Sequence, residues 1–118
     1  MFNTYEAQFQ AMEYKDYIVK ILRENPQFDG IFASSDVIAA QVLQACALLG
    51  IRVPQELKLV GFDDVEIATL TTPRITTIRQ PIEEMCRYAI TNILLKLEQK
   101  MIPSKTVLPV ELIERETT

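Results

Sequence analysis

Apolar residues recur every three or four positions in three segments of the chain, a spacing that predicts amphipathic helices. The first segment runs from Glu13 to Asn25. The second, DVIAAQVLQACALL, is apolar almost all round and ends at Leu49, so we expect more than one of its faces to be covered. The third begins at Pro81 and runs to about Gln99. Its predicted buried stripe consists of Ile82, Met85, Ala89, Ile93, Leu94 and Leu97.

Short apolar runs between these segments predict strands. Gly30–Ser34 and Leu57–Phe62 have the composition of buried strands of a parallel sheet, and Thr76–Arg79 is a shorter extended piece. A fourth strand is predicted at Thr106–Ile113, where Pro109 favours an edge position. Residues 63–75 are predicted to be irregular. The alternation of strands and helices predicts an α/β fold with right-handed crossovers.

The composition narrows the class of protein. The chain has 118 residues, of which 48% are hydrophobic, and this predicts one small globular domain spanning 1–118. Its net charge is −4, and its basic residues are scattered, which argues against nucleic-acid binding by this chain. No apolar stretch has the roughly 18 residues of a membrane span, and we expect no signal peptide.

The residues that most often carry catalysis and bind metals are scarce. The chain contains no histidine, the commonest general base and metal ligand, so we expect no metal site, no cofactor and no enzymatic activity. Cys46 and Cys86 fall in two different helical segments. We expect both to be reduced, buried thiols, with a disulfide between them as the alternative.

Polar side chains follow two of the predicted strands. Ser35 and Asp36 come after the first strand, and Asp63 and Asp64 come directly after the second. Because right-handed crossovers bring the carboxyl ends of parallel strands to one edge, all four are expected to converge there. Carboxylates and hydroxyls at such an edge accept hydrogen bonds from a polyhydroxylated ligand.

Structural roles compete with this interpretation. Ser35 or Asp36 would cap the following helix, and an aspartate at 63 or 64 would hold a turn. For Asp36 the capping role is favoured, whereas for Asp63 the residues themselves leave the two roles open. Acid–base chemistry or a divalent cation would need a third partner that the sequence does not offer.

Four segments resemble the effector-binding domain of the lactose/galactose-repressor (LacI/GalR) family of transcription regulators. In order along the chain they are DGIFASSD, LGIRVPQELKLVGFDD, PRITTIRQP and LPVELIERETT. The resemblance implies a periplasmic-binding-protein-like type I fold, whose lobes are three-layer α/β/α structures around a parallel sheet. It covers most of the chain from Asp29 onward and implies that the chain is the C-terminal lobe, with the DNA-binding domain and most of the first lobe absent.

The resemblance also assigns roles to residues. It implies that Asp63 hydrogen-bonds a carbohydrate effector, that Ser35 stands where the family often has a ligand-contacting asparagine, and that Phe9 stacks on the ligand. This placement of Phe9 favours a strand, rather than a helix, over residues 2–9. The family's dimer surface falls by position on Ala40, Gln44, Leu70 and Thr71.

The resemblance therefore implies the effector-binding and dimerisation lobe of a cytoplasmic, sugar-responsive repressor. Operator DNA would be bound only by a domain outside this chain. The ending LPVELIERETT is most similar to regulators of sucrose or other sugar operons. The competing class is a periplasmic or surface sugar-binding protein of the same fold, and an enzyme on an α/β scaffold is a remote third.

Overall fold

The computed structural model describes residues 14–118, and residues 1–13 lie outside the described part. The predicted order of helices and strands is confirmed, with one short helix added in the segment predicted to be irregular. The elements are α1 (Tyr14–Glu24), β1 (Gly30–Phe32), α2 (Asp36–Leu49), β2 (Lys58–Phe62), α3 (Ile67–Leu70), β3 (Thr76–Arg79), α4 (Ile82–Leu97) and β4 (Glu111–Ile113). The strand predicted from Thr106 is shorter than expected, since the ladder begins only after Pro109 and Val110.

The four strands form one sheet in the order β1-β2-β3-β4. The first two pairings are parallel, whereas β4 runs antiparallel to β3 and lies at the sheet edge, as Pro109 predicts. The carboxyl ends of β1, β2 and β3 therefore lie along one edge. This mostly parallel sheet with helical crossovers confirms the predicted α/β fold of the periplasmic-binding-protein type.

The hydrophobic core lies between one face of the sheet and helices α1 and α2. Leu59 of β2 and Ile75, which precedes β3, are fully buried in one cluster with Leu22 of α1 and Ala39 of α2. Side chains alternate along a strand, so the neighbours of these core residues point to the opposite face. On that face Phe32 remains 65% exposed. The described residues thus supply the sheet and one helical layer of the three-layer fold.

The C-terminal tail is bonded into the sheet by side chains as well as by β4. Thr117 donates its hydroxyl to the carbonyl of Leu59 at 2.6 Å and accepts the amide of Thr76 at 2.9 Å. Glu116 accepts the backbone amide of Arg74 at 2.8 Å and its guanidinium at 2.9 Å. The ending ERETT therefore stabilises the two central strands, β2 and β3.

Helix α4 forms where the periodicity predicts it, but its predicted burial is wrong. No residue of α4 is buried, and Leu97 is 76% exposed. The longest dimension of the structure is 58 Å, and its radius of gyration of 18.0 Å exceeds the roughly 13 Å of a compact chain of this size. An amphipathic pattern predicts that a helix has an apolar face, but it does not specify what covers that face.

Candidate ligand-binding rim

The carboxyl edge of the parallel strands carries the candidate site, which we call the rim: Ser35 after β1, Asp63 and Asp64 after β2, and Gln80 after β3. Ser35 is half-buried in extended backbone and is the N-cap of α2. Its Oγ accepts the amide of Ile38 at 3.3 Å. A hydroxyl has one donor and two acceptor sites, so Ser35 can cap the helix and still contact a ligand.

Asp36 lies next to the turn after β2, as expected, but its side chain is buried beneath the rim and is not available to a ligand. Its side chain is fully buried, and its carboxylate accepts the amide of Val65 at 2.8 Å and the hydroxyl of Thr77. Capping is also not its role, because Ser35 caps the helix. Gly61 leaves room for this carboxylate, since a Cβ at position 61 would overlap Oδ1 of Asp36. Asp36 thus joins α2 to the segments after β2 and within β3.

The two acids of VGFDD lie in a tight turn of unusual backbone. Asp63 has φ 102° and Asp64 has φ 54°, values that residues with a side chain rarely adopt. Conformations of this kind persist only where surrounding contacts hold them. The amide of Asp63 donates to the carbonyl of Ile78 at 2.9 Å, which fixes the start of the turn against β3. In this turn the two adjacent carboxylates have different partners.

Asp63 is the carboxylate that remains partly available. Its side chain is half-buried, and Oδ1 accepts the side-chain amide of Gln80 at 2.7 Å. Within residues 14–118, Oδ2 of Asp63 has no hydrogen-bond donor. A carboxylate held through one oxygen can accept a ligand hydroxyl with the other.

Asp64 is instead the centre of an ion-pair cluster. Its side chain is 8% exposed, and its oxygens accept Arg115 at 2.6 Å and Arg79 at 2.7 Å. Arg115 also donates to the carbonyl of Ile75 at 2.9 Å. Burial acts to raise the pKa of the Asp64 carboxyl, but the hydrogen bonds from Arg115 and Arg79 outweigh it, and the pKa lies below its ordinary value. Asp64 therefore joins the turn to β3 and the C-terminal tail.

This cluster predicts an acid-sensitive contribution to stability. Because the pKa of Asp64 is lower in the folded chain than in the unfolded one, its contribution is present above the ordinary aspartate pKa of about 3.9. It is lost as the pH falls through the folded-state pKa. We expect Asp64→Asn to flatten the decline in unfolding free energy below about pH 4, as measured by urea unfolding. Arg115→Met should flatten it too, and an unchanged slope in both variants would contradict this role.

An aromatic pair next to the rim was not predicted from the sequence. The rings of Phe32 and Phe62 meet edge-to-face, with centroids 6.3 Å apart, at the last residues of β1 and β2. The alternation of side chains along each strand could have predicted that both rings share the face opposite the core. Phe9, the aromatic residue predicted to stack on a ligand, lies outside the described residues.

The predicted dimer residues are only partly at the surface. Leu70 is 71% exposed on α3, Gln44 is exposed on α2, and Thr71 is half-buried. Ala40 is 7% exposed and belongs to the core, so it offers little surface to a partner. Sequence reasoning missed two exposed apolar residues of α2 on the same stripe as Gln44. We call the set the α2–α3 surface: Val37, Gln44, Leu48, Leu70 and Thr71.

Between residues 14 and 118, no group of three or more His, Cys, Asp or Glu side chains is arranged to hold a metal ion. Both cysteines are free thiols, as expected. Cys46 is buried, which raises the pKa of its thiol, whereas the predicted burial of Cys86 is wrong because it lies on the exposed helix α4. In the described part of the chain, none of the helices has the length and apolar character needed to cross a membrane.

A mostly parallel sheet with a carboxylate and hydroxyl groups at its carboxyl edge defines an α/β ligand-binding lobe. Residues 2–118 match the family model of the periplasmic binding protein-like domain. The chain therefore belongs to this family, and its relatives show that it is part of an effector domain of the LacI/GalR type.

Two of the relatives are repressors of sugar operons. The chain is 34% identical to the ribose operon repressor of Halalkalibacterium halodurans over 95% of its own length and 34% of the relative's. It is 33% identical to the sucrose operon repressor of Streptococcus mutans, over 87% of the chain and 32% of that protein. The chain thus spans about a third of the length of these relatives.

A solved structure of a LacI family regulator is also similar to the chain. The LacI family transcriptional regulator of Arthrobacter sp. FB24, determined in complex with lactose, superimposes with a TM-score of 0.76 at 31% identity. The match covers 88% of this chain and 40% of that one.

Proposed function

We propose that this chain is the C-terminal lobe of the effector-binding domain of a sugar-responsive transcriptional repressor, which we call the intact protein. The observation that carries the proposal is the Asp63 carboxylate, held at the carboxyl edge of the sheet with one oxygen free of donors from residues 14–118. The names of the relatives support a sugar as the effector, because two are repressors of sugar operons and a related structure contains lactose.

In this proposal a sugar binds between two lobes, and Asp63 accepts one of its hydroxyls. Ser35 contributes its hydroxyl to the same rim, and Phe9 stacks on the sugar ring. Binding regulates DNA only if the sugar has different affinities for the open and closed arrangements of the lobes. The lobe itself has a net charge of −4, so operator DNA would be bound by another domain of the intact protein.

Two further assignments follow from this proposal. The intact protein would act in the cytoplasm, where repressors reach their operators, rather than as a periplasmic sugar-binding protein. It would also not be an enzyme, since the chain has no histidine and its relatives are transcription regulators. The buried, arginine-paired Asp64 also differs from an acid–base residue, because both of its oxygens are held by guanidinium groups.

A thermal-shift screen of the intact protein tests the proposal. The panel is D-ribose, sucrose, lactose and cellobiose. A ligand at a hundred times its Kd stabilises the folded state by about 2.7 kcal/mol, which raises the Tm of a two-lobed domain by about 5–10 °C. We expect one sugar to produce such a shift, and this chain alone to respond far more weakly because half of the cleft is absent. Failure of all four sugars, or micromolar binding to this chain alone, would contradict the proposal.

We further propose that the α2–α3 surface is a dimer interface. Exposed Val37, Leu48 and Leu70 supply the apolar area that such interfaces need, and exposed Gln44 supplies a polar group beside it. We expect Leu70→Glu to raise the dimer dissociation constant of this chain at least about tenfold, as measured by sedimentation equilibrium. Met101→Glu, on a loop residue exposed outside this surface, is the matched control. Equal effects of the two variants would contradict the interface.

A further inference from the structure

Gln80 occupies a distinctive position in the fold. It follows the last residue of β3 and precedes Pro81, the N-cap of helix α4. Its side chain is half-buried and donates its amide to Oδ1 of Asp63 at 2.7 Å. Gln80 is therefore the described residue that contacts the proposed ligand-binding carboxylate with its own side chain.

A second contact from the same segment holds the backbone of Asp63. The amide of Asp63 donates to the carbonyl of Ile78, two residues before Gln80, at 2.9 Å. The segment 78–80 thus holds both the backbone and the carboxylate of a residue whose φ is 102°. The rare backbone angle requires such support, because a residue with a side chain does not favour it.

The hydrogen bond also fixes the orientation in which the carboxylate meets a ligand. A carboxylate rotates about its terminal torsion with two nearly equivalent orientations. A donor on one oxygen restrains the plane of the group and leaves the other oxygen for a ligand. A binding group that is fixed in advance loses less entropy when it binds its ligand.

We propose that Gln80 is a positioning residue for effector binding, acting through Asp63. This inference rests on the proposed function, since it assumes that Asp63 accepts a sugar hydroxyl. Gln80 orients the carboxylate so that Oδ2 meets the hydroxyl. Because Gln80 lies directly before the N-cap of α4, it also links the ligand-binding carboxylate to the start of that exposed helix.

The test is a double-mutant cycle on the intact protein, with affinity measured by calorimetry for whichever sugar of the panel binds. Gln80→Glu preserves the shape of the side chain but removes the amide donor, and Gln80→Ala removes the contact altogether. Hydrogen bonds to charged groups are worth enough to change affinity about tenfold, and we expect that loss in both variants. Gln55→Ala, on an exposed loop glutamine, should leave the affinity unchanged.

The cycle distinguishes positioning from a general structural role. In the Asp63→Ala background, Gln80→Ala should produce no further loss of affinity, because the group it positions is gone. A tenfold loss that persists in that background would overturn the inference, and so would unchanged affinity of the Gln80 variants in an otherwise unmodified protein. If Asp63→Ala alone leaves affinity unchanged, both the inference and the proposed role of Asp63 fail. If the Gln80 variants leave the affinity unchanged but Asp63→Ala lowers it, the inference about Gln80 fails and the proposed role of Asp63 stands.

Discussion

Asp36→Ala is expected to lower the free energy of unfolding of this chain by about 3 kcal/mol or more. The carboxylate is fully buried and accepts the amide of Val65 and the hydroxyl of Thr77. Its removal leaves the buried hydroxyl of Thr77 and the partly buried amide of Val65 without an acceptor, and an unsatisfied buried donor costs about 1–3 kcal/mol. It also leaves a gap beside Gly61, whose missing Cβ makes the room that the carboxylate fills. The loss can be measured by urea unfolding with linear extrapolation.

Asp29→Ala is the matched control for this experiment, because Asp29 is exposed and its backbone carbonyl, rather than its side chain, accepts the amide of Lys58. Surface substitutions of this kind change stability by about 0.5 kcal/mol or less. Asp36→Asn should have an intermediate effect, since it preserves the shape and one acceptor oxygen. A loss below about 1 kcal/mol for Asp36→Ala would show that the bonds to Val65 and Thr77 contribute little to the folded state.

Asp63→Ala is expected to weaken sugar binding by the intact protein about 10- to 100-fold, with a far smaller effect on stability than Asp36→Ala. A hydrogen bond to a charged acceptor is worth about 1.5–3 kcal/mol, and tenfold in affinity corresponds to 1.4 kcal/mol. Isothermal titration calorimetry with the sugar found in the thermal-shift screen gives the affinities directly.

Asp63→Asn separates the loss of charge from any change in the backbone. Asparagine tolerates positive φ better than alanine, so it should maintain the turn at φ 102° while removing the negative charge. Both variants should lose affinity, whereas Asp29→Ala should keep it. Equal affinity of the unmodified protein and Asp63→Ala would contradict the role of Asp63 in ligand binding, on which the proposed function rests.

The position of the rim could be predicted from the sequence because it depends on topology alone. Strands that alternate with helices form parallel pairs, and parallel strands end at one edge. The strand pattern alone does not show that Asp36 is buried and Asp63 is not, since both follow an apolar strand; only the resemblance to the LacI/GalR family singled out Asp63. Their difference arises from contacts distant in sequence: Asp36 bonds to Thr77, 41 residues away, and Asp63 bonds to Gln80, 17 residues away.

Helix α4 is a second case in which the sequence predicts an element but not its surroundings. Its periodicity predicts the helix and its apolar stripe, but the structure leaves that stripe exposed. Burial depends on what lies opposite a face, and this is a property of the tertiary arrangement.

By itself, the sequence determined the described helices and strands other than α3, the edge where strands β1 and β2 end, and the acidic character of the rim. Hydrophobic periodicity is a local property and strand order a topological one, so both can be predicted from the order of residues along the chain. Only the tertiary structure decided which carboxylate is buried, which is paired with arginine and which keeps one oxygen without a donor from residues 14–118. A carboxylate takes its role from the donors within hydrogen-bonding distance, and in this protein those donors come from segments far away in the chain.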